Sequence, residues 1–152
     1  MNLLDDASSR GLSGLEQLQA LIASGTRPAI GSALDFDLVE VAAGHAVFEG
    51  TPGPSVMNLV GTVHGGYAAT LLDSACGAAV HTRISSTQGY TTLELKTSYH
   101  RPMTAEAGRV RAEASLISFG RRAAFASAAL TDAAGRVIAT ATSTLLVYER
   151  PV

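Results

Sequence analysis

The feature that most constrains the fold is a run of small and apolar residues near the middle of the chain, Gly65 to Val80. Apolar or small residues recur there at positions 68, 71, 72, 75, 76 and 79. Because this spacing follows the period of an α-helix and not the alternation of a strand, it predicts one long amphipathic helix. Asp73 is the only charged residue in the run. Its carboxylate lies either in solvent or in a partly dry pocket, where its neighbours set its pKa.

The start of this helix carries a second signal, the sequence His64-Gly65-Gly66. Two glycines leave the first-turn N–H groups open, and these groups have no partner within the helix and carry partial positive charge. Such an N-terminus binds anions, including the oxyanion of acyl transfer. The alternative is that the glycines only permit close packing of helix on sheet. The nearby His64, Asp73 and Asn58 favour the functional interpretation.

Most of the remaining chain has the pattern of strands. A capping box of Ser13 with Glu16 predicts a helix over 13–24, after a frayed tail at 1–11. The segments around 27–33 and 51–58 are predicted to be connectors. Strands are predicted at about 34–41, 45–50, 90–100, 108–118, 121–132 and 136–148. Five or six antiparallel strands and one long helix favour an α+β fold whose sheet curls around that helix. We expect a tail and short helix at 1–27, then one domain over 28–150.

Composition excludes several classes of function. The formal net charge of −2 argues against nucleic acid as a partner. No apolar run reaches the ~18 residues of a membrane span. One cysteine cannot form an internal disulfide, and the acidic N-terminus does not resemble a signal peptide, so we expect a cytoplasmic protein. The four histidines lack metal-ligand spacing, and Gly-x-Ser-x-Gly and phosphate-loop motifs are absent. We therefore expect neither a metal nor another cofactor.

An ordered set of motifs surrounds the predicted helix. Asn58, Gly61 and His64-Gly65-Gly66 are followed by Leu-Leu-Asp, whose Asp73 lies nine residues after the histidine. Further matches follow in the order Tyr90 to Lys96, Arg101-Pro102, Gly120-Arg121-Arg122 and Gly135 to Thr142. Together they resemble the acyl-CoA thioesterases of the hotdog fold, above all the branch named for phenylacetate degradation. The resemblance covers roughly residues 28–148. It departs at Leu59, where many relatives have proline.

The resemblance implies a hotdog fold that hydrolyses acyl-CoA thioesters. Asp73 would activate water as a general base or attack the carbonyl itself. Gly65 would donate its N–H to the thioester oxygen, and His64 would orient that oxygen or the sulfur. Asn58 would hold the carbonyl or the water, unless it only forms a turn. Relatives carry either Asp or Glu at this position, and the two side chains reach different distances. The choice between general base and nucleophile therefore stays open.

Two further groups of residues take roles from the resemblance. Thr92 would position water near the carboxylate, with Thr91 as the alternative. Coenzyme A would be bound by residues at strand ends, since guanidinium suits phosphate oxygens: Arg101, Gly120, Arg121 and Arg122. The alternative for these arginines is a solvated sheet edge.

Helix geometry predicts that two chains share each site. Gly65 and Asp73 are eight residues apart, about 12 Å along the axis, so one helix cannot present both to one thioester. Two such helices that pack antiparallel across a two-fold axis could present Gly65 of one chain and Asp73 of the other to the same thioester. The resemblance implies Asp73 and Thr92 from one subunit and Asn58, His64 and Gly65 from its partner. We expect a homodimer as the minimal unit and a homotetramer as a dimer of dimers.

Two other functions stay open. A hotdog hydroxyacyl-CoA dehydratase would leave the thioester intact. A non-catalytic acyl-CoA-binding domain of the kind found in some repressors would need a DNA-binding extension, for which residues 1–27 are too short and too acidic. The presence of Asp73 also favours catalysis. Aromatic, medium-chain and long-chain acyl groups all remain candidates for the substrate.

Overall fold

The helices and strands follow one another in an order close to the predicted one. A computed structural model describes residue 5 and residues 11–151, so the predicted tail at 1–11 lies mostly outside the described residues. The elements are α1 (Gly14–Ser24), α2 (Ala29–Leu34), β1 (Phe36–Ala42), β2 (His45–Gly50), α3 (Gly65–His81), β3 (Gln88–Tyr99), β4 (Val110–Phe119), β5 (Ala123–Thr131) and β6 (Val137–Glu149). Short 3-10 turns occupy Pro54–Val56 and Ala105–Ala107. None of the described helices is long and apolar enough to cross a bilayer.

The six strands form one antiparallel sheet in the order β1-β2-β4-β5-β6-β3. Helix α3 contacts every strand. A sheet can touch one helix with all of its strands only by curling around it, so the predicted α+β architecture is confirmed. Strand β3 pairs with β6 alone, which makes it one edge of the sheet within the described chain.

The core forms between the apolar face of α3 and the inner face of the sheet. The six positions that predicted the helix are each exposed by 1% or less. The strands contribute larger residues such as Leu130 and Leu145 and eight buried alanines, at positions 46, 112, 114, 124, 126, 128, 139 and 141. Small side chains on both surfaces allow the sheet to approach the helix closely. At Gly77 a Cβ atom would lie 3.1 Å from the Tyr90 ring, so this approach depends on glycine.

Helix α1 begins and ends where the sequence predicts. The Ser13 hydroxyl oxygen accepts a hydrogen bond from the Glu16 N–H, and the Ser13 N–H donates to the Glu16 carboxylate at 2.8 Å. Gly25 ends the helix in the left-handed conformation, with φ 66°. A buried hydrogen bond of 3.0 Å between His81 Nε2 and Gln17 Oε1 joins α1 to the end of α3.

The segment before β1 corrects the prediction of an irregular connector. It forms α2, which follows Pro28, and β1 therefore begins at residue 36 and not at 34. Pro28 is the N-cap, with φ −56° and ψ 149°, and Asp35 ends the helix in the left-handed conformation at φ 56°, which Asp tolerates better than most residues. A helix of six residues is too short to show a hydrophobic period, so the sequence pattern did not reveal it.

Candidate active site

Asp73 and Thr92 are brought together by α3 and β3. The Thr92 hydroxyl donates a hydrogen bond of 3.0 Å to Asp73 Oδ1, and both side chains are only partly exposed. Because side chains alternate along a strand, Thr91 points to the opposite face, and it is exposed. Of the two candidate threonines, the structure places Thr92 at the carboxylate. The second oxygen of Asp73 makes no hydrogen bond to any residue of 11–151.

Two acidic groups near Asp73 stay protonated at neutral pH. Burial, and then the charge of Asp73, raises the pKa of the Cys76 thiol to about 12. Burial and the same carboxylate raise the pKa of the Tyr90 phenol to about 12. A thiol with that pKa is a poor nucleophile, because the thiolate is the reactive form. Cys76 is fully buried in the core, as its position on the apolar stripe predicts.

The N-terminus of α3 is organised by His64. This residue is the N-cap, and its Nδ1 accepts a hydrogen bond of 2.8 Å from the Gly66 N–H. Because Nδ1 is the acceptor, a neutral His64 carries its proton on Nε2, which can then donate to another group. The Gly65 N–H, in contrast, has no hydrogen-bond partner among residues 11–151. It is therefore an open donor at the positive end of the helix.

Tyr99, at the end of β3, holds Gly65 in place. Its hydroxyl donates to the Gly65 carbonyl oxygen at 2.8 Å. A Cβ atom at position 65 would lie 3.1 Å from the Tyr99 ring, so a side chain there would displace the ring. Tyr99 is not among the site residues predicted from the sequence. The available signal was an aromatic residue directly before His100 and Arg101.

Asn58 shapes the loop that leads to α3. Its Oδ1 accepts hydrogen bonds from the N–H groups of Val60 and Thr62, at 3.0 and 3.1 Å. Its Nδ2 donates to the Thr62 hydroxyl at 2.8 Å. Within one chain Asn58 thus forms a turn, which is the alternative role named for it above. One amide hydrogen remains for another acceptor, so its role in holding a carbonyl stays a prediction.

The candidate phosphate-binding residues fall in two places. Arg101 lines a cavity of about 310 Å³ together with His64, Gly65 and Tyr99. Arg121 and Arg122 are exposed in the turn between β4 and β5, where the Gly120 N–H donates to the Ala123 carbonyl oxygen at 2.8 Å. None of these three arginines pairs with a carboxylate of residues 11–151. The same range contains no group of three His, Cys, Asp or Glu side chains arranged to hold a metal ion.

The described geometry forms two half-sites and not one. The first contains Asp73 and Thr92, and the second contains His64, Gly65 and Arg101. They are separated by the length of α3 between positions 65 and 73, about 12 Å of helix.

Comparison with known proteins identifies the family. The family model described as Thioesterase superfamily matches residues 60–139, just over half of the chain. The chain belongs to this superfamily. The match contains α3 with both half-sites, and it supports the hotdog fold predicted from the sequence.

Solved structures place this thioesterase-superfamily chain among phenylacetate-degradation-type proteins. A mutant of the phenylacetic acid degradation protein PaaI from Thermus thermophilus is 31% identical, with a TM-score of 0.71, over 78% of this chain and 98% of that one. The TT0310 protein from the same organism is 32% identical, with a TM-score of 0.72, over 80% and 98%. A thioesterase family protein from Silicibacter pomeroyi is 27% identical, with a TM-score of 0.77, over 87% and 98%. A search of curated protein sequences finds no significant match.

Proposed function

We propose that this protein is an acyl-CoA thioesterase that hydrolyses its substrate to a free carboxylic acid and coenzyme A. The observation that carries the proposal is the hydrogen bond from Thr92 to Asp73, which leaves one carboxylate oxygen available for chemistry. A thioester needs either activated water or a direct nucleophile, and a positioned carboxylate provides either. The reaction requires no metal or redox cofactor.

Each step of the proposed reaction has a group suited to it. With Asp73 as base, its free oxygen takes a proton from water, and the Thr92 oxygen orients that water through its lone pairs. With Asp73 as nucleophile, the carboxylate forms a mixed anhydride that water then opens. In both routes the carbonyl oxygen gains negative charge, which the open Gly65 N–H stabilises, and the thiolate of coenzyme A leaves. The His64 Nε2–H is a second donor at the same helix end.

The active site is shared between two subunits in this proposal. Asp73 and Thr92 of one chain act together with Gly65, His64 and Asn58 of the partner chain. The support is the 12 Å of helix between the half-sites (about eight residues at the standard rise). Strand β3 is an edge of the sheet and carries Thr92, so an antiparallel β3 from a second chain could pair there. We propose a homodimer as the functional unit, assembled into a homotetramer.

Coenzyme A binding is assigned to the second half-site and the β4–β5 turn. Arg101, Arg121 and Arg122 have no carboxylate partner in the described chain and offer charge to the phosphates. The fold accepts such a ligand in at least one case. A Streptococcus mutans protein of 23% identity and TM-score 0.69, covering 78% of this chain and 92% of that one, is bound to acetyl-CoA. With one buried cysteine, we place the reaction in the reducing cytoplasm.

The test is release of free thiol from a panel of aromatic and aliphatic acyl-CoA esters, with chelator present throughout. We expect hydrolysis of at least one ester and a loss of roughly 10²–10⁴ in kcat for Asp73→Asn, the range of a general base. Hydration or dehydration of an acyl chain that stays attached to coenzyme A would instead identify a dehydratase. Tight binding without turnover would identify an acyl-CoA-binding domain.

A further inference from the structure

A second and larger cavity, of about 520 Å³, lies beneath the two N-terminal helices. Helices α1 and α2 contribute Leu18, Leu21 and Ile30 to its walls, and β1 and β2 contribute Phe36, Leu38 and Phe48. The Phe36 and Phe48 rings meet edge to face, with centroids 5.7 Å apart. The volume is within the range of small-molecule sites, whereas a cavity of about 150 Å³ already admits benzene. It is thus large enough for a sizeable apolar group.

The cavity adjoins the proposed reaction centre. Ser74, Ala78 and His81 line it from α3, and Ser74 directly follows Asp73. Tyr90 lines it from β3, on the same face of the strand as Thr92. From Ser74 to His81 the helix advances roughly 10 Å, so the cavity extends away from Asp73 along α3. Asp73 itself does not line the cavity, so the acyl chain of a thioester held at Asp73 would enter it past Ser74 and Tyr90.

The cation in the wall of this cavity is already paired with two carboxylates. Arg27 is the only charged side chain in the described lining. Its guanidinium donates to Asp37 Oδ1 at 2.5 Å, to Asp37 Oδ2 and to Asp35 Oδ1 at 3.0 Å. Two carboxylates thus already neutralise this one cation, and the carboxylate of a substrate would bring a third negative charge to it. His81 adds no positive charge, because burial lowers its pKa to about 4.

We propose, resting on the thioesterase function above, that this cavity holds the acyl group of the substrate. It selects uncharged acyl groups of medium size over short ones and over those that end in a carboxylate. Ala78 is the specificity-determining residue, since its small side chain keeps the middle of the cavity open. Each buried methylene should raise kcat/KM about fourfold, so octanoyl-CoA, with four more methylenes, should exceed butyryl-CoA by up to roughly 250-fold.

The experiment measures kcat/KM for butyryl-CoA, octanoyl-CoA and suberoyl-CoA, which has the same length as octanoyl-CoA but ends in a carboxylate. We expect octanoyl-CoA to exceed suberoyl-CoA by at least about tenfold, because burying an unpaired charge is costly. Ala78→Leu should lower the octanoyl-CoA value by at least about tenfold and leave butyryl-CoA within about twofold. Ala20→Leu, the same change on the exposed face of α1, is the control and should alter neither value.

A second variant guards against misfolding of Ala78→Leu. Ile30 lies at the edge of the cavity and is 50% exposed, so Ile30→Trp narrows the cavity without any change in the core. It should lower the value for octanoyl-CoA more than that for butyryl-CoA. A preference for butyryl-CoA or suberoyl-CoA, or variants with unchanged profiles, would overturn the assignment while the thioesterase function stands.

Binding separates the two proposals if no ester is hydrolysed. Calorimetry with S-octyl-CoA, a thioether that cannot be hydrolysed, should show at least about tenfold tighter binding than coenzyme A itself. Ala78→Leu should abolish that difference. This result without any turnover would refute the thioesterase function and support the assignment of the cavity to the acyl group. Equal affinities of the wild-type protein for S-octyl-CoA and coenzyme A would overturn that assignment.

Discussion

The shared active site can be tested by mixing two inactive proteins, each defective in a different half-site. Asp73→Asn removes the base or nucleophile with almost no change in shape. Gly65→Pro removes the open N–H and suits the local backbone, because residue 65 is the first of α3 and proline is favoured there. His64, with φ −60° and ψ 134°, already has the extended conformation required before proline. Tyr99 is 54% exposed and can move aside.

The structure sets the size of the expected recovery. Asp73→Asn alone should lose roughly 10²–10⁴ in kcat, and loss of one oxyanion donor through Gly65→Pro roughly 10²–10³. When the two are unfolded together in equal amounts and refolded, half of the dimers are mixed. In a mixed dimer one site holds both defects and the other holds neither. Specific activity should therefore return to about a quarter of that of refolded wild-type protein.

A matched control uses two residues that the structure places in the same half-site of one chain. Asp73→Asn mixed with Thr92→Val leaves no intact site in a mixed dimer, so its activity should not exceed the mean of the two parents. The assay is thiol release from the best acyl-CoA, with differently tagged chains to quantify mixed dimers. Mixed dimers that co-purify yet keep the activity of the Asp73→Asn and Gly65→Pro parents would refute the shared site.

Three further predictions concern individual side chains. Thr92→Val should lower kcat by roughly 10- to 100-fold with little change in KM, since a hydrogen bond to a charged group contributes about 1.5–3 kcal/mol, and Thr92→Ser should restore most of the loss. Replacing Arg121 and Arg122 by alanine should raise KM more than it lowers kcat for acyl-CoA but not for truncated acyl-pantetheine; equal losses on both substrates would assign them to structure. Burial lowers the pKa of His81 from 6.5 to about 4, so the unfolded chain takes up a proton on this side chain at a higher pH than the folded protein does. The free energy of unfolding should therefore fall by roughly 3 kcal/mol as the pH drops from 7 to about 4. Urea titrations of wild type and His81→Gln should show that the variant lacks most of this dependence.

The long helix and the sheet were predictable because their signals are strong and local. The stripe on α3 follows a single helical period from Ala68 to Ala79, and one long apolar helix among alternating strands favours a sheet packed on it. Helix α2 was not predictable, because six residues cannot display a period and Asp35 in the left-handed conformation leaves no mark in a pattern of apolar residues. The first residue of β1 was misplaced for the same reason.

The candidate site divides in a similar way. The resemblance located Thr92 on the strand, but only coordinates could place its hydroxyl 3.0 Å from Asp73, since the two residues are far apart in sequence. The turn formed by Asn58 was visible only in the structure, where its Oδ1 accepts both of its hydrogen bonds from N–H groups of its own loop. The large cavity could not be foreseen, since it depends on how α1 and α2 lie over α3. No periodicity encodes that arrangement.

The alanines between α3 and the sheet have a consequence for how this protein can change its substrate. Alanine has no side-chain rotamers, so these positions lose no rotamer entropy on folding and cannot repack by rotation of a side chain. The N-terminal helices are different, because their cavity walls consist of large side chains such as Leu18, Leu21 and Ile30, which substitution can trim or enlarge. Mutations in α1 and α2 can therefore reshape this cavity without replacing any residue of α3. Under the proposed acyl assignment, a change in specificity can therefore arise near the N-terminus as well as at Ala78 of α3.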